Sequence, residues 1–132
     1  MDIAARLALA GIFAALAAIH FYWAAGGSWG VGAAVPSAPS GPALFKPGPW
    51  GTSAVALLLL TGAAIATGQL LAPFQSMLLR GMAVIFLLRA VGEFRYAGFF
   101  KRVRGTPFAY WDTRLFSPLC IVLSVLSFLG SR

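Results

Sequence analysis

Four long stretches of hydrophobic residues run along the chain, and each approaches the roughly 20 apolar residues that an α-helix needs to cross a bilayer. Most charged residues lie between these stretches rather than within them. The pattern therefore predicts an all-α, polytopic membrane protein with a single four-helix transmembrane domain over residues 1–132. We predict the transmembrane helices at about residues 3–23, 52–71, 74–94 and 112–130.

The start of the fourth helix has two interpretations. Ser117-Pro118 is typical of a helix N-cap followed by a first-turn proline, but that start leaves only a short helix. A start near Asp112, with Pro118 as a kink, gives a full span. We prefer the longer helix, and we then expect Asp112 and Thr113 to cap it.

Two long hairpins, Ala24–Gly51 and Arg95–Thr113, must share one side of the membrane because the number of spans is even. The first is rich in proline, glycine and tryptophan and has neither a helical nor a strand period. Loops of this length are functional or disordered, so a packed loop and a flexible linker on the headgroups both stay open. All four tryptophans and all three tyrosines lie on the hairpin side, whereas an ordinary aromatic belt occupies both faces.

Composition supports the membrane assignment. The chain is 60% hydrophobic and only 10% charged, and its mean hydropathy is +0.86. These values exclude a soluble globule, a disordered chain and a disulfide scaffold, and the single cysteine, Cys120, cannot form an internal disulfide. The first apolar stretch continues through Phe21-Tyr22-Trp23, which favours a retained anchor over a cleaved signal peptide.

The net charge of +7 is better explained by the orientation of the protein in the membrane and by contact with anionic lipid headgroups than by binding of nucleic acid. Six basic residues lie on the hairpin side and three on the side of the termini. The positive-inside rule then predicts cytoplasmic hairpins and extracytoplasmic termini. The alanine-, glycine- and arginine-rich composition indicates a bacterial source, and hence an inner-membrane location.

Ionisable residues inside a span are costly and suggest a functional site. Arg89 and Glu93 are four residues apart, so a continuous helix would place both on one face, with Arg89 near the membrane midplane. One interpretation is an ion pair that locks helix packing. The other makes Arg89 an anchor for an anion and Glu93 a proton acceptor.

His20 and Asp112 are the other candidates. His20, the only histidine, lies at about the depth of Glu93 and could share a proton with Glu93 or Asp112. A packing role for His20 and a capping role for Asp112 are the alternatives. These residues come from different segments without ligand spacing, so we predict no metal site, and no sequence motif indicates a cofactor.

Three stretches together resemble a known family: His20–Gly30 (HFYWAAGGSWG), Arg89–Lys101 (RAVGEFRYAGFFK) and Phe108–Cys120 (FAYWDTRLFSPLC). They are similar to the small bacterial membrane proteins of domain of unknown function 3995. The resemblance implies a four-span membrane protein and supplies no activity. It also implies that eight residues form one constellation: His20, Trp23, Trp29, Arg89, Glu93, Arg95, Asp112 and Pro118.

Three functions remain open. We prefer a polar intramembrane pocket near the cytoplasmic face that binds or transports an amphipathic anionic or lipid-like small molecule. Its ligand-binding residues would be His20, Trp23, Trp29, Arg89, Glu93, Arg95 and Asp112. The alternatives are an intramembrane acid/base enzyme, with His20 and Glu93 as the catalytic candidates, and an accessory subunit of a larger membrane complex.

The partners expected from the sequence are membrane lipid and a lipophilic or amphipathic small molecule, with no nucleic acid. The sequence leaves open whether the chain forms a homo-oligomer. We expect His20, Arg89, Glu93 and Asp112 to converge on one cavity, roofed by the tryptophan-bearing first hairpin.

Overall fold

A computed structural model describes residues 2–39 and 41–132, and Ser40 of the first hairpin lies outside the described residues. The described chain is all-helical, as predicted. The α-helices are α1 (Ile3–Ala24), α2 (Val31–Ala34), α3 (Pro49–Ala66), α4 (Gln75–Val91), α5 (Pro107–Trp111) and α6 (Ser117–Gly130). A 3-10 turn (Ala72–Phe74) precedes α4, and a π-helical segment (Asp112–Phe116) joins α5 to α6.

Four helical stretches are long and apolar enough to cross a membrane: Ile3–Ala24, Pro49–Ala66, Ala72–Val91 and Pro107–Gly130. Only 22–28% of each apolar window is buried inside the protein. Large apolar side chains such as Leu58 cover the outer faces instead. Such faces are stable only in lipid, so the chain is a multi-pass membrane protein.

Two helices end earlier than the sequence predicts, because glycines in the left-handed region stop them. The helix predicted to reach Leu71 ends at Ala66, and Gly68 follows with a φ of 80°. The helix predicted to reach Phe94 ends at Val91, and Gly92 follows with a φ of 87°. A positive φ is strained for other residues, so these glycines allow the turns.

The fourth span begins at Pro107, five residues before the predicted start, and the side chain of Thr106 caps it by accepting the Ala109 N–H at 3.1 Å. Asp112 therefore lies inside the helix, and its predicted capping role is wrong.

The widened π turn before Pro118 explains how the span continues through that proline. A proline ring clashes with the carbonyl four residues earlier in a regular α-helix, and a π turn relieves the clash.

The spans pack in the order α3, α1, α6, α4, so α1 and α6 form the centre of the bundle. All four spans contribute to the hydrophobic core, which includes Leu9, Phe13, Leu79 and Leu123. The short helix α2 lies against α5. The first hairpin thus packs on the start of the fourth span.

A seam of small residues joins the antiparallel helices α4 and α6. The Ser124 hydroxyl donates to the Ala83 carbonyl oxygen at 2.6 Å, and the Ser76 hydroxyl contacts the Ser131 carbonyl oxygen. This register places Ala90 opposite Ser117, and neither is exposed. The positions recur every seven residues on both helices, and small side chains at such a repeat let two helix backbones approach closely.

Both termini lie at one end of the bundle, which we call the terminal end. There the buried Arg6 side chain donates from Nε to the Gly130 carbonyl oxygen and from Nη1 to Gln75 Oε1, both at 2.7 Å. Gln75 Nε2 donates in turn to the carbonyl oxygens of Ile65 and Ala66. The cation thus satisfies the Gly130 carbonyl of α6 directly, and Gln75 connects it to two carbonyls of α3. Arg6 Nη2 is buried without a hydrogen-bond partner among the described residues.

Candidate functional site

The opposite end of the bundle, which we call the hairpin end, is organised by one carboxylate. Asp112 is fully buried. Its Oδ1 accepts from Arg89 Nη2 at 2.8 Å, and its Oδ2 accepts from the Gly98 N–H at 2.7 Å and from Lys101 Nζ at 3.1 Å. Two cations and one backbone donor therefore share this single acid.

Lys101 is also fully buried, and its ammonium group is saturated. Besides Asp112 Oδ2, Nζ donates to the Gly98 carbonyl oxygen at 3.0 Å and to the Thr113 hydroxyl. An ammonium has three hydrogens, so Lys101 has no donor left for a ligand. We call Arg89, Gly98, Lys101, Asp112 and Thr113 the Asp112 cluster.

Two glycines allow the second hairpin to reach this carboxylate. Gly92 and Gly98 lie so close that a Cβ on Gly92 would collide with the Ala97 carbonyl, and one on Gly98 with the Val91 carbonyl oxygen. Both have positive φ values, near 88°. The loop then folds back, and the Phe99 N–H donates to the Ala90 carbonyl oxygen at 2.8 Å. A last-turn carbonyl of α4 is satisfied in this way.

Arg89 lies in the last turn of α4 rather than near the midplane, because the helix ends at Val91. The predicted ion pair with Glu93 is wrong, since Arg89 binds Asp112, 23 residues away. About a third of the Arg89 side chain (34%) is exposed. Its buried Nη1 has no hydrogen-bond partner among the described residues. The spare donors of the cluster therefore belong to Arg89.

Glu93 lies in the turn after α4, where its carboxylate accepts the Tyr96 N–H and, at 3.0 Å, the Ala97 N–H. The hydrogen bond from the Tyr96 N–H lowers the pKa of Glu93 and outweighs the opposing effect of desolvation. Backbone hydrogen bonds from Ala97 and Arg95 and the positive charge of Arg95 lower this pKa further. The Glu93 side chain is exposed and stabilises the turn. Because the helix ends before Gly92, Glu93 does not lie on the helical face of Arg89, where the sequence alone places it.

His20 is bonded within its own helix. Its Nδ1 lies 2.7 Å from the Leu16 carbonyl oxygen, and its ring packs edge-on against Trp23. No hydrogen bond or ion pair of residues 2–39 and 41–132 joins His20 to Glu93 or Asp112. The contacts are those of the packing alternative.

The first hairpin folds back on the end of α1 and leaves Trp29 exposed. Trp23 Nε1 donates to the Trp29 carbonyl oxygen at 2.8 Å, and the Trp29 N–H donates to the Tyr22 hydroxyl at 3.3 Å. Trp29 nevertheless stays 76% exposed, and Trp50 is 89% exposed. The backbone of this turn is therefore packed while its aromatic side chains project outward.

A cavity of about 580 Å³ lies between the first hairpin and Pro107. Its walls are mostly apolar, with Val31, Val35 and Phe45 among them, and Lys46 supplies a cation. Arg89 and Asp112 do not line it. His20 and Glu93 do not line it either, so this space is not the cavity on which the four polar residues were expected to converge.

The prediction that His20, Arg89, Glu93 and Asp112 converge on one site is therefore wrong for His20 and Glu93. The structure brings Arg89 and Asp112 together and engages His20 and Glu93 elsewhere. In the part of the chain that the structure describes, no three His, Cys, Asp or Glu side chains lie close enough to hold a metal ion. The ligand-binding roles of the predicted residues remain predictions.

Lys101 and Gly98 were missed as site residues by the sequence reasoning. Two signals pointed to them. The chain has only three acidic residues, so an acid buried near the second hairpin could pair with any of several basic residues there, Lys101 included. The glycines at positions 92 and 98 also marked a tight return of the backbone.

These features define a class: a small four-span membrane protein whose hairpin end is fastened by a buried carboxylate with two cations. The family model described as protein of unknown function (DUF3995) matches residues 13–127, which is most of the chain. The chain therefore belongs to this family, as its three motifs indicated. Neither the comparison with curated proteins nor that with solved structures gave a match.

Proposed function

We propose that this protein binds an amphipathic anionic, lipid-like molecule at the hairpin end, with Arg89 holding the anion. One observation carries the proposal. The Asp112 cluster contains one more positive than negative charge, and the unpartnered Nη1 belongs to the partly exposed Arg89. A buried guanidinium nitrogen without a partner is costly, so an anion that reaches it gains a charge-assisted hydrogen bond.

The lipid-facing surface beside Arg89 suits an alkyl chain. Ile85 precedes Arg89 by four residues and so shares its helix face, and Ile85 is 63% exposed. Leu88 is exposed to the same extent. An amphiphile can therefore lie along α4 with its headgroup at Arg89, after a rotation of the guanidinium that uncovers Nη1.

The two alternative functions have less support. An acid/base enzyme needs His20 and Glu93 within hydrogen-bond reach of each other, and each has other partners. An accessory subunit needs a polar face on the outside of the bundle, whereas Asp112 and Lys101 are buried. The proposal includes a location in the bacterial inner membrane, with the hairpins in the cytoplasm and both termini outside.

Thermal melting in a neutral detergent tests the proposal, with dodecyl phosphate as the probe and dodecanol as its uncharged counterpart. Dodecyl phosphate should raise the melting temperature of the wild type well above the effect of dodecanol, because a ligand stabilises the state that binds it. Arg89→Met should lose this difference. The variant should still fold, because Lys101 continues to neutralise Asp112.

Arg80→Met is the matched control, since Arg80 is an exposed arginine near the other end of the same helix. It should keep the wild-type response. Arg89→Lys should keep only part of it, because an ammonium cannot reproduce the guanidinium geometry. An equal response to dodecyl phosphate in the wild type, Arg89→Lys and Arg89→Met would overturn Arg89 as the anchor.

A further inference from the structure

The second hairpin presents its basic and aromatic side chains together at the end of the spans. Residues 93–114 contain five basic residues against two acidic ones, a net charge of +3. Lys101 and Asp112 are buried within the Asp112 cluster. The charge that faces outward therefore comes from four arginines and Glu93, and its sum stays positive.

Backbone pairing gathers three of these arginines. The Arg95 carbonyl oxygen accepts the N–H of Arg102 at 3.0 Å and that of Val103 at 2.8 Å. Arg104 Nη2 donates to the Phe99 carbonyl oxygen at 3.1 Å. Arg95, Arg102 and Arg104 are all exposed and thus occupy one small loop, which we call the basic loop (residues 93–104).

Two phenylalanines project from the same loop. Phe94 is 53% exposed and has a φ of 70°, and Phe100 is 61% exposed. A positive φ is strained for a residue with a side chain. Exposed phenyl rings beside arginines are unfavourable in water but suit a membrane interface, where the rings enter the acyl region and the guanidinium groups meet phosphate.

We propose that the basic loop is a binding surface for anionic phospholipids of the leaflet next to the hairpins. The charge complementarity favours anionic over zwitterionic headgroups. The loop connects the ends of two spans, α4 and the span that begins at Pro107, so its rings are at the height of the headgroups. This inference goes beyond the proposed function, because the basic loop is a surface separate from Arg89 and its ligand is named as phospholipid.

Native mass spectrometry of the full chain in neutral detergent tests the surface, with phosphatidylglycerol and phosphatidylcholine of identical acyl chains as the probes. The wild type should retain phosphatidylglycerol preferentially. Arg102→Gln with Arg104→Gln should lower that preference by about 25-fold, since each arginine near a membrane surface contributes roughly fivefold. Raised salt should weaken the preference of the wild type.

Two further variants separate charge from folding. Arg102→Lys with Arg104→Lys keeps the charge and should keep the preference, even though the bond to the Phe99 carbonyl changes. Arg80→Gln with Arg132→Gln removes two exposed arginines elsewhere and should also keep it. A wild type without preference for phosphatidylglycerol, or a glutamine pair at 102 and 104 that retains it, would overturn the surface.

The two proposals fail in different ways. If the phosphatidylglycerol preference survives the glutamine pair while Arg89→Met abolishes the dodecyl phosphate response, the surface is wrong and the Arg89 anchor stands. If the glutamine pair abolishes the preference while Arg89→Met leaves the dodecyl phosphate response unchanged, the basic loop binds lipid and the Arg89 anchor is wrong.

Discussion

The three acidic residues have three different tasks, and their surroundings explain each one. Asp2 caps α1 by accepting the Ala5 N–H at 2.9 Å. Glu93 holds the turn after α4, and Asp112 binds two cations inside the bundle. Only the Asp112 carboxylate is buried, so only its removal leaves buried cations without a counter-charge.

Replacement of Asp112 should therefore be the most damaging change among the acids. Asp112→Asn leaves the buried Lys101 and the partly exposed Arg89 against a neutral amide, and breaking a buried pair costs about 3–5 kcal/mol. Glu93→Gln, at an exposed turn, is the matched control and should cost less than about 1 kcal/mol. Denaturant unfolding in detergent measures both, and equal losses would contradict the assignment of Asp112 as the centre of the cluster.

The pH dependence of the Glu93 turn follows from its hydrogen bonds. Because the folded pKa of Glu93 is lowered, its stabilising contribution is present above the ordinary glutamate pKa of about 4.3. The contribution is lost as the pH falls through the lowered folded pKa. Wild type should thus melt above Glu93→Gln at pH 7, and the two melting temperatures should approach each other as the pH falls below the ordinary glutamate pKa.

Wild type and Glu93→Gln both retain Asp112, so any titration of Asp112 largely cancels when their melting temperatures are compared. A difference between wild type and Glu93→Gln that grows on acidification would contradict the stabilising role of the Glu93 carboxylate.

At the scale of elements, hydropathy predicted the four spans because each apolar stretch must be covered by lipid or by another helix. The first span ends within one residue of its prediction, at Ala24. The ends at Ala66 and Val91 were missed because backbone turns at Gly68 and Gly92 stop the helices while the sequence beyond stays apolar. Hydropathy reports which residues prefer lipid, but it does not report where a helix stops.

The partner of Arg89 was missed for a related reason. A spacing of four residues brings side chains together only while the helix continues, and Gly92 interrupts it. The true partner, Asp112, lies 23 residues away and is brought near by the folding of the second hairpin. Local spacing contains no information on such a contact.

The small-residue seam gives a prediction for helix packing. Ala83→Leu inserts a bulky side chain between α4 and α6 and should destabilise the bundle by about 1–3 kcal/mol. Val84→Leu is the matched control, since the neighbouring Val84 is 57% exposed and points away from the core. It should change stability by less than about 0.5 kcal/mol. Similar losses for both variants in detergent unfolding would contradict the seam.

At the scale of the whole molecule, the two ends of the bundle are fastened by opposite arrangements. At the terminal end, one cation serves helix carbonyls and an amide, without an acid. At the hairpin end, two cations serve one acid, and exposed arginines surround them. The excess of exposed positive charge therefore lies with the hairpins, and from this excess the positive-inside rule predicts that the hairpins are cytoplasmic.

Cysteine labelling tests this orientation. In a Cys120→Ser background, Gly41→Cys in the first hairpin should resist an impermeant thiol reagent in intact cells, and Arg132→Cys should react. Both positions are exposed in the structure, whereas the neighbouring Ser131 is buried and would not test accessibility. Permeabilised cells, in which both must react, provide the control. The reverse pattern in intact cells would place the hairpins outside.

The central structural claim is that Arg89 is held by Asp112 rather than by Glu93. If Glu93 also neutralised Arg89, the hairpin end would have no spare buried cation for an anion. A double-mutant cycle measures this directly through unfolding free energies in one detergent. Arg89→Met and Asp112→Asn should show a coupling energy of about 1–3 kcal/mol, whereas Arg89→Met and Glu93→Gln should be additive within about 0.5 kcal/mol. Coupling to Glu93 with additivity at Asp112 would contradict the account.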